Sequence, residues 1–200
     1  MAPKVAILIW SAYGHILKMA ESEKAGIEAA GGKAEIFRVP DVEGLRISHV
    51  DPSTPVMKDP QDMTQYDAFL FGIPTRYGNF PATWKAWWDN TGGLWASGAL
   101  AGKYVGLFVS TGTMGGGQET TCISTLSTFV HHGMTYVPLG YKKTFAIFSD
   151  LTEVRGGSPW GAGTFSAADG SRQPSAKELE VAKIQGQTFY EHVSAVNFSA

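Results

Sequence analysis

KVAILIWSAYGHI, residues 4–16, decides the fold of this chain. After the opening lysine the strand-like part, Val5 to Trp10, is apolar without interruption. Successive residues of a strand face opposite sides, so a strand with one wet face alternates apolar and polar side chains. A run that does not alternate is buried on both faces, which is the habit of parallel sheets covered by helices above and below. Parallel neighbours need a crossover. Residues 15–30 offer one, with Ile16, Met19, Ala20 and Ile27 near helical spacing and Gly31-Gly32 to end the helix.

Outward from this unit the alternation repeats. Residues 33–39 (KAEIFRV) read as an outer strand, and residues 40–65, rich in Pro, Asp and Ser, as a surface connection. Residues 67–73 (DAFLFGI) are a second buried strand, stopped by Pro74, and residues 84–90 a short helix. Residues 104–110 (YVGLFVS) form a further strand, followed by a loop over 111–117, a helix over 120–131 and a last short strand over 135–139. Residues 140–173 are a Gly-, Ser- and Asp-rich excursion. Ser175 then opens a final helix, with Glu178 placed for a capping box and Leu179, Ala182, Phe189, Val193 and Val196 as its apolar stripe. Strands and helices thus alternate about five times, the pattern of a parallel sheet with helices on both faces. With no repeat and no linker, residues 1–200 read as one domain.

Composition narrows the function. Hydrophobic residues make up 44% and charged residues 17%, which suits a globular chain. The net charge of −2 is spread evenly and gives no field for nucleic acid or an anionic membrane. No apolar run reaches membrane-spanning length, so no integral membrane association is expected. The start, Met1-Ala2-Pro3-Lys4, leads straight into a strand without a signal segment, and Cys122 is the single cysteine. Both point to a reducing, cytoplasmic setting. No Cys, His and carboxylate residues have zinc spacing, and His131 and His132, being adjacent, diverge by about 100° on a helix. No metal is expected. Six tryptophans are unusual, and their N–H groups favour a pocket or an interface.

In a doubly wound sheet, ligands bind beyond the carboxyl ends of the strands. The segments there are Ser11 to Ile16, Pro74 to Asn79, Ser110 to Gly117, and Gly140-Tyr141. The first can hold a phosphate, with the Ser11 hydroxyl, close approach at Gly14 and the free N–H groups of the next helix; an ordinary strand-to-helix turn has the same composition. It is neither a Gly-x-Gly-x-x-Gly fingerprint nor a P-loop, and no Gly-x-Ser-x-Gly elbow is present. Gly115 to Gly117 lets backbone approach a flat heterocycle, or is merely a flexible loop. Arg76 places positive charge near such a ring, or makes a surface ion pair.

The motifs SAYGHI, PTRYGN, TGGLWASGALAGK, STGT…GGGQE, HHGM, VPLGY, RGGSPWGAGT and DGSRQPS, in this order along nearly the whole chain, resemble the WrbA-like family of flavodoxin-fold NAD(P)H:quinone oxidoreductases. The resemblance implies a flavodoxin-like three-layer α/β sandwich, with a five-stranded parallel sheet in the order 2-1-3-4-5. It implies noncovalent FMN and a homotetramer, or a dimer. Ser11, Ala12, Tyr13, Gly14, His15 and Ile16 would surround the FMN phosphate and ribityl chain. Thr75, Arg76 and Tyr77 would flank the flavin, and Ser110, Thr111, Gly112, Thr113, Gly115 and Gly116 its other edge. His131 would lie by the reactive face as a cofactor contact and catalytic residue, with Tyr141 beside it. Tyr13 would touch the nicotinamide nucleotide and Trp95 the acceptor. Met114 interrupts the family's Thr-Gly-Thr-Gly-Gly-Gly pattern, which shifts the register between Thr113 and Gly117 by one residue.

The activity so implied moves two electrons from NAD(P)H to a quinone. Two flat substrates cannot stack in one slot, which predicts ping-pong turnover. Trp95 and Tyr141 would wall the slot, and His131 would hydrogen-bond a quinone oxygen. The apolar stretch from Trp84 to Trp95 is read as a subunit interface that completes the site. The rival readings are a flavodoxin-type electron carrier, a stress-associated oligomer with little turnover, and an FMN or azo reductase. The balanced charge favours the enzyme over the carrier. No 2′-phosphate site is legible; Arg155 and Arg172 are the candidates, with an ordinary surface position the stronger expectation for each.

Overall fold

The computed structural model describes residues 2–198. Val5–Ile9 (β1) leads into His15–Ala29 (α1) and Ala34–Arg38 (β2). A long connection carrying the 3-10 turn Pro60–Gln65 precedes Ala68–Pro74 (β3), Ala82–Asp89 (α2) and Gly92–Ser97 (α3). Tyr104–Thr111 (β4), Gln118–His131 (α4), Thr135–Tyr136 (β5), Phe145–Phe148 (α5), Gly163–Phe165 (β6) and Ala176–Ser194 (α6) complete the chain.

The strands are parallel, in the order β2-β1-β3-β4-β5, as the resemblance implied. The flavodoxin-like architecture gains a sixth strand, because the outer edge is split. β5 pairs with Tyr104 and Val105 at one end of β4, and β6 pairs with Val109 to Thr111 at the other. The strand expected over residues 135–139 stops at Tyr136. One more ladder bond forms, Val137 N–H to Val105 C=O at 2.8 Å, before Pro138, which has no N–H to donate. The chain leaves the sheet there and rejoins it when Val109 N–H meets Ala162 C=O at 3.0 Å.

Period-two alternation divides β1 between two cores. Val5, Ile7 and Ile9 face Met19 and Ile27 of α1 and Phe189 and Val193 of α6. Ala6, Leu8 and Trp10 face Trp84, Trp87, Trp88 and Phe129. Trp87 meets Trp84 and Trp88 edge to face within this second core, where the three indole N–H groups have no acceptor among the described residues. The tryptophans of α2 are therefore spent inside the chain. Of the stretch read as an interface, Trp95 stays exposed, at 59%. On the opposite face α1 and α6 touch backbone to backbone. A Cβ on Gly186 would stand 2.0 Å from Glu23 O, and one on Gly26 2.0 Å from Lys183 O. No helix among the described residues is long and apolar enough to cross a membrane.

Candidate functional site

A cavity of about 440 Å³ opens beyond the carboxyl ends of β1, β3, β4 and β6. That volume lies within the roughly 300–1,000 Å³ of small-molecule sites. Ser11, Ala12, Tyr13, His15, Thr75, Arg76, Ser110, Thr111 and Gly112 line it, so three strand-end loops converge as the sequence suggested.

Each loop has a local reason for its shape. Gly14 N–H donates to Ser11 Oγ at 3.0 Å, and Gly14, at φ 88°, is the N-cap of α1. No side chain caps this helix, so its first N–H groups and the positive end of its dipole are left for a ligand. Ile16, by contrast, is fully buried in the core and does not line the cavity. In the second loop Thr75 N–H donates to Ser110 C=O at 2.8 Å, tying β3 to β4. Arg76 and Asn79 exchange backbone hydrogen bonds across a tight turn, and Arg76 Nη1 donates to Thr75 C=O at 2.9 Å. Tyr77 sits at that turn with φ 55° and its side chain fully in solvent, outside the lining.

The glycine loop curls on itself. Gly116 N–H and Thr111 Oγ1 both donate to Thr113 C=O, at 3.1 and 3.0 Å. A Cβ on Gly116 would come within 2.8 Å of that same oxygen. Gly116 is thus required by its own turn. Thr113, Gly115 and Gly116 do not line the cavity; Gly115 borders a neighbouring recess of about 340 Å³ with Gly117, Gln118 and Gly157.

A fourth wall, made by Ser166, Ala167, Ala168 and Gly170, carries no signal in the sequence. Its anchor is Glu178, which does more than cap α6. One or other of its carboxylate oxygens accepts from Ser175 N–H, Gly156 N–H and Thr164 Oγ1, each at 2.8 Å, and from Phe165 N–H at 3.3 Å. Arg172 Nη1 pairs with it at 2.9 Å. Arg172 in turn donates to Phe165 C=O and Val154 C=O, and its own carbonyl accepts from His15 Nε2 at 2.8 Å. Arg172 is therefore committed to this wall and does not itself line the cavity. Arg155 lies 4.9 Å from the Phe148 ring, away from the cavity. A capping pattern was visible at Ser175 and Glu178; the long-range donors gave no sequence signal.

A fifth contributor, Arg46, comes from the connection after β2. Among the described residues the lining holds Arg46, Arg76 and His15 and no carboxylate, so the cavity suits an anionic ligand. The uncapped helix and Ser11 fit a phosphate. The small and backbone-rich surfaces of Gly112, Ala167 and Gly170 fit a flat ring.

His131, Trp95 and Tyr141 are not brought to this cavity within one chain. His131 closes α4, a helix of 14 residues beginning beside the cavity at Gln118. At about 1.5 Å per residue it ends roughly 20 Å away. The loop after α3 meets the end of α4 where Gly102 N–H bonds Gly133 C=O at 2.9 Å, so Trp95 shares that far pole. His132, not His131, is buried there. Thr91 Oγ1 donates to Trp88 C=O at 2.6 Å and accepts from His132 Nε2 at 2.9 Å. Burial, then the neighbouring His131, holds the His132 pKa below its ordinary value. Tyr141 stands between β5 and β6, against Phe145 and Phe148 at 6.4 and 6.1 Å between ring centroids.

The family described as NADPH-dependent FMN reductase matches residues 3–143. The NAD(P)H quinone oxidoreductase PST3 of Candida albicans is 58% identical over 97% of this chain and 100% of its own length. The minor allergen Alt a 7 of Alternaria alternata is 56% identical over 97% of this chain and 98% of its own. Among solved structures, the WrbA-like flavodoxin from Agrobacterium tumefaciens superposes with a TM-score of 0.68 at 19% identity, over 98% of this chain and 99% of that one. That likeness shows the fold.

Proposed function

The chain belongs to the NADPH-dependent FMN reductase family, and from that premise we propose that it is an FMN-dependent NAD(P)H:quinone oxidoreductase that reduces quinones to hydroquinones in the cytoplasm. The observation that carries this reading is the carboxylate-free cavity at the strand ends, floored by the uncapped start of α1. A relative 58% identical and named for quinone reduction supports the choice of acceptor.

FMN, when bound, supplies a two-electron carrier between the nicotinamide and the quinone. Ser11 and the N–H groups that open α1 hold its phosphate, where the helix dipole favours negative charge. Thr75, Arg76, Ser110, Thr111 and Gly112 would frame its ring, with the Arg76 guanidinium placed to offset negative charge on it. Tyr13 lies at the mouth, half exposed, as a shelf for the nucleotide. The two flat substrates use one opening in turn, which gives ping-pong kinetics. His131, Trp95 and Tyr141 can serve such an opening only from another copy of the chain, so the reading carries with it a tetramer or dimer with shared sites.

The test is purification followed by steady-state kinetics with NADH and NADPH against a quinone panel. The expected protein is yellow, holds about one FMN per chain and gives parallel double-reciprocal lines. A colourless protein that takes up no added FMN ends this reading. Intersecting lines end its ping-pong part, and a fully active monomer by light scattering ends its shared-site part.

A further inference from the structure

We propose that Arg46 selects NADPH over NADH by pairing with the ribose 2′-phosphate at the mouth of the cavity. This rests on the function proposed above and names the nucleotide that the site takes.

Arg46 lines the cavity yet is exposed. Among the described residues it has no ion pair and no hydrogen-bond acceptor. Its guanidinium is nevertheless braced. It lies 5.0 Å from the Tyr13 ring centroid, and Tyr13 stacks nearly parallel to His49 at 6.3 Å. The segment carrying Arg46 is tied to the first loop, since Ser48 Oγ donates to Ser11 C=O at 2.7 Å. Asp41 secures it from the other side, accepting from Ser48 N–H at 2.9 Å and from Trp10 Nε1 at 3.0 Å. Few positions combine a free guanidinium, an aromatic brace and a tethered backbone. Together they make a planar donor fork held in place for a phosphate.

On the function proposed above, the cavity floor would take one anion, the FMN phosphate. Ser11 and the start of α1 lie inside, whereas Arg46 stands at the mouth, so Arg46 is not needed for a phosphate seated at the floor. A diphosphate bridge carries about one charge per phosphate, while a terminal monoester carries about −1.5 to −2 near neutral pH. The monoester gains more from an exposed guanidinium, and among the two nicotinamide nucleotides it is present only in NADPH. The other arginines nearby have duties: Arg172 holds Glu178 and Arg76 holds Thr75 C=O.

The experiment uses the full chain, R46A and R46K. Calorimetry compares 2′,5′-ADP with 5′-AMP as probes, and kinetics compare NADPH with NADH. The wild type should prefer 2′,5′-ADP, and R46A should lose that preference by roughly tenfold or more, with R46K in between. The ratio of NADPH to NADH KM should rise by the same factor. A wild type indifferent to the 2′-phosphate overturns the proposal, as does an R46A variant whose two KM values rise together, which would mark a diphosphate contact. Weakened FMN binding in R46A overturns it too, by assigning Arg46 to the cofactor. A chain that prefers 2′,5′-ADP but reduces no quinone sinks the proposed function and leaves Arg46 as the 2′-phosphate contact.

Discussion

Glu178 and Glu23 are both fully buried, on helices α6 and α1 that pack against each other, yet their surroundings are opposite. Glu178 is ringed by donors from Gly156, Thr164, Phe165, Arg172 and Ser175. Neither oxygen of Glu23 has a partner among the described residues. The difference follows from what each carboxyl faces. Glu178 looks onto irregular backbone, whose N–H groups must find acceptors if they are to be buried. Glu23 lies on the apolar stripe of α1, with Met19, Ala20 and Ile27, where α6 comes so close that Gly186 can carry no side chain. One glutamate assembles a wall of the functional site. The other is a polar group confined by helix packing, at a cost in stability.

The strongest way to break this comparison is Glu178→Ala. It strands Arg172 and the buried donors of residues 156–165 together. The Arg172 side chain is 29% exposed, so water relieves part of the loss. The expected destabilisation is about 3–5 kcal/mol by urea unfolding, the range for a buried pair losing one member. Because residues 166–170 line the cavity, flavin affinity should fall as well, at denaturant-free conditions where the variant is still folded. Glu178→Gln, which keeps one acceptor oxygen, should lie between. An alanine variant within about 0.5 kcal/mol of the parent, with parental flavin binding, would show that the donors do not depend on the carboxylate.

Glu23→Gln sharpens the other half. Burial pushes the Glu23 carboxyl well above its ordinary value of 4.5. Between that value and the raised one, the folded chain keeps a proton that the unfolded chain has released. Wild-type stability therefore falls as pH rises above about 4.5, by at most about 1.4 kcal/mol per pH unit from this group. The amide does not titrate, so that part of the slope disappears. The stability of the variant relative to the parent should therefore improve as pH rises from 5 to 8. Equal slopes for the two proteins would mean that Glu23 finds a partner or water in solution.

Much of this was legible in the chain. The uninterrupted apolar runs of β1, β3 and β4 announce a buried parallel sheet, and the loops after them are where the cavity lies. What stayed hidden shares a physical character. β6 is only Gly163–Phe165 and takes its place by pairing rather than by pattern. The Glu178 ring joins residues far apart in sequence, so only its capping box could be read locally. Arg46 sits in a polar connection where nothing distinguishes a cavity-lining arginine from a solvated one. Glu23 breaks an apolar stripe that was read from its neighbours. Tryptophan burial in α2 went the other way: three indole N–H groups left without acceptors are unfavourable singly, and tight ring stacking in the core offsets them.

Asp41 lies between the two extremes, and its asparagine variant gives the smallest and most discriminating effect. Its side chain is 26% exposed. Oδ1 accepts from Trp10 Nε1 and Ser48 N–H, while Oδ2 faces Arg38 at 3.5 Å. If donor geometry rather than charge makes a carboxylate useful, Asp41→Asn should keep Oδ1 in place and lose only the Arg38 pair. That pair is partly exposed, so the cost should be no more than about 1 kcal/mol. Asp41→Ala removes both Oδ1 bonds, at about 1 kcal/mol each, as well as the Arg38 pair, for roughly 2–3 kcal/mol in total. It should also release the segment carrying Ser48 and Arg46, so that NADPH binding weakens more than NADH binding. Urea unfolding of both variants, with nucleotide titration, measures the two effects together. If the asparagine variant proves as unstable as the alanine one, the Arg38 charge pair governs the site. The contrast drawn between Glu178 and Glu23 would then rest on charge neutralisation instead of on the count of donors each carboxyl meets.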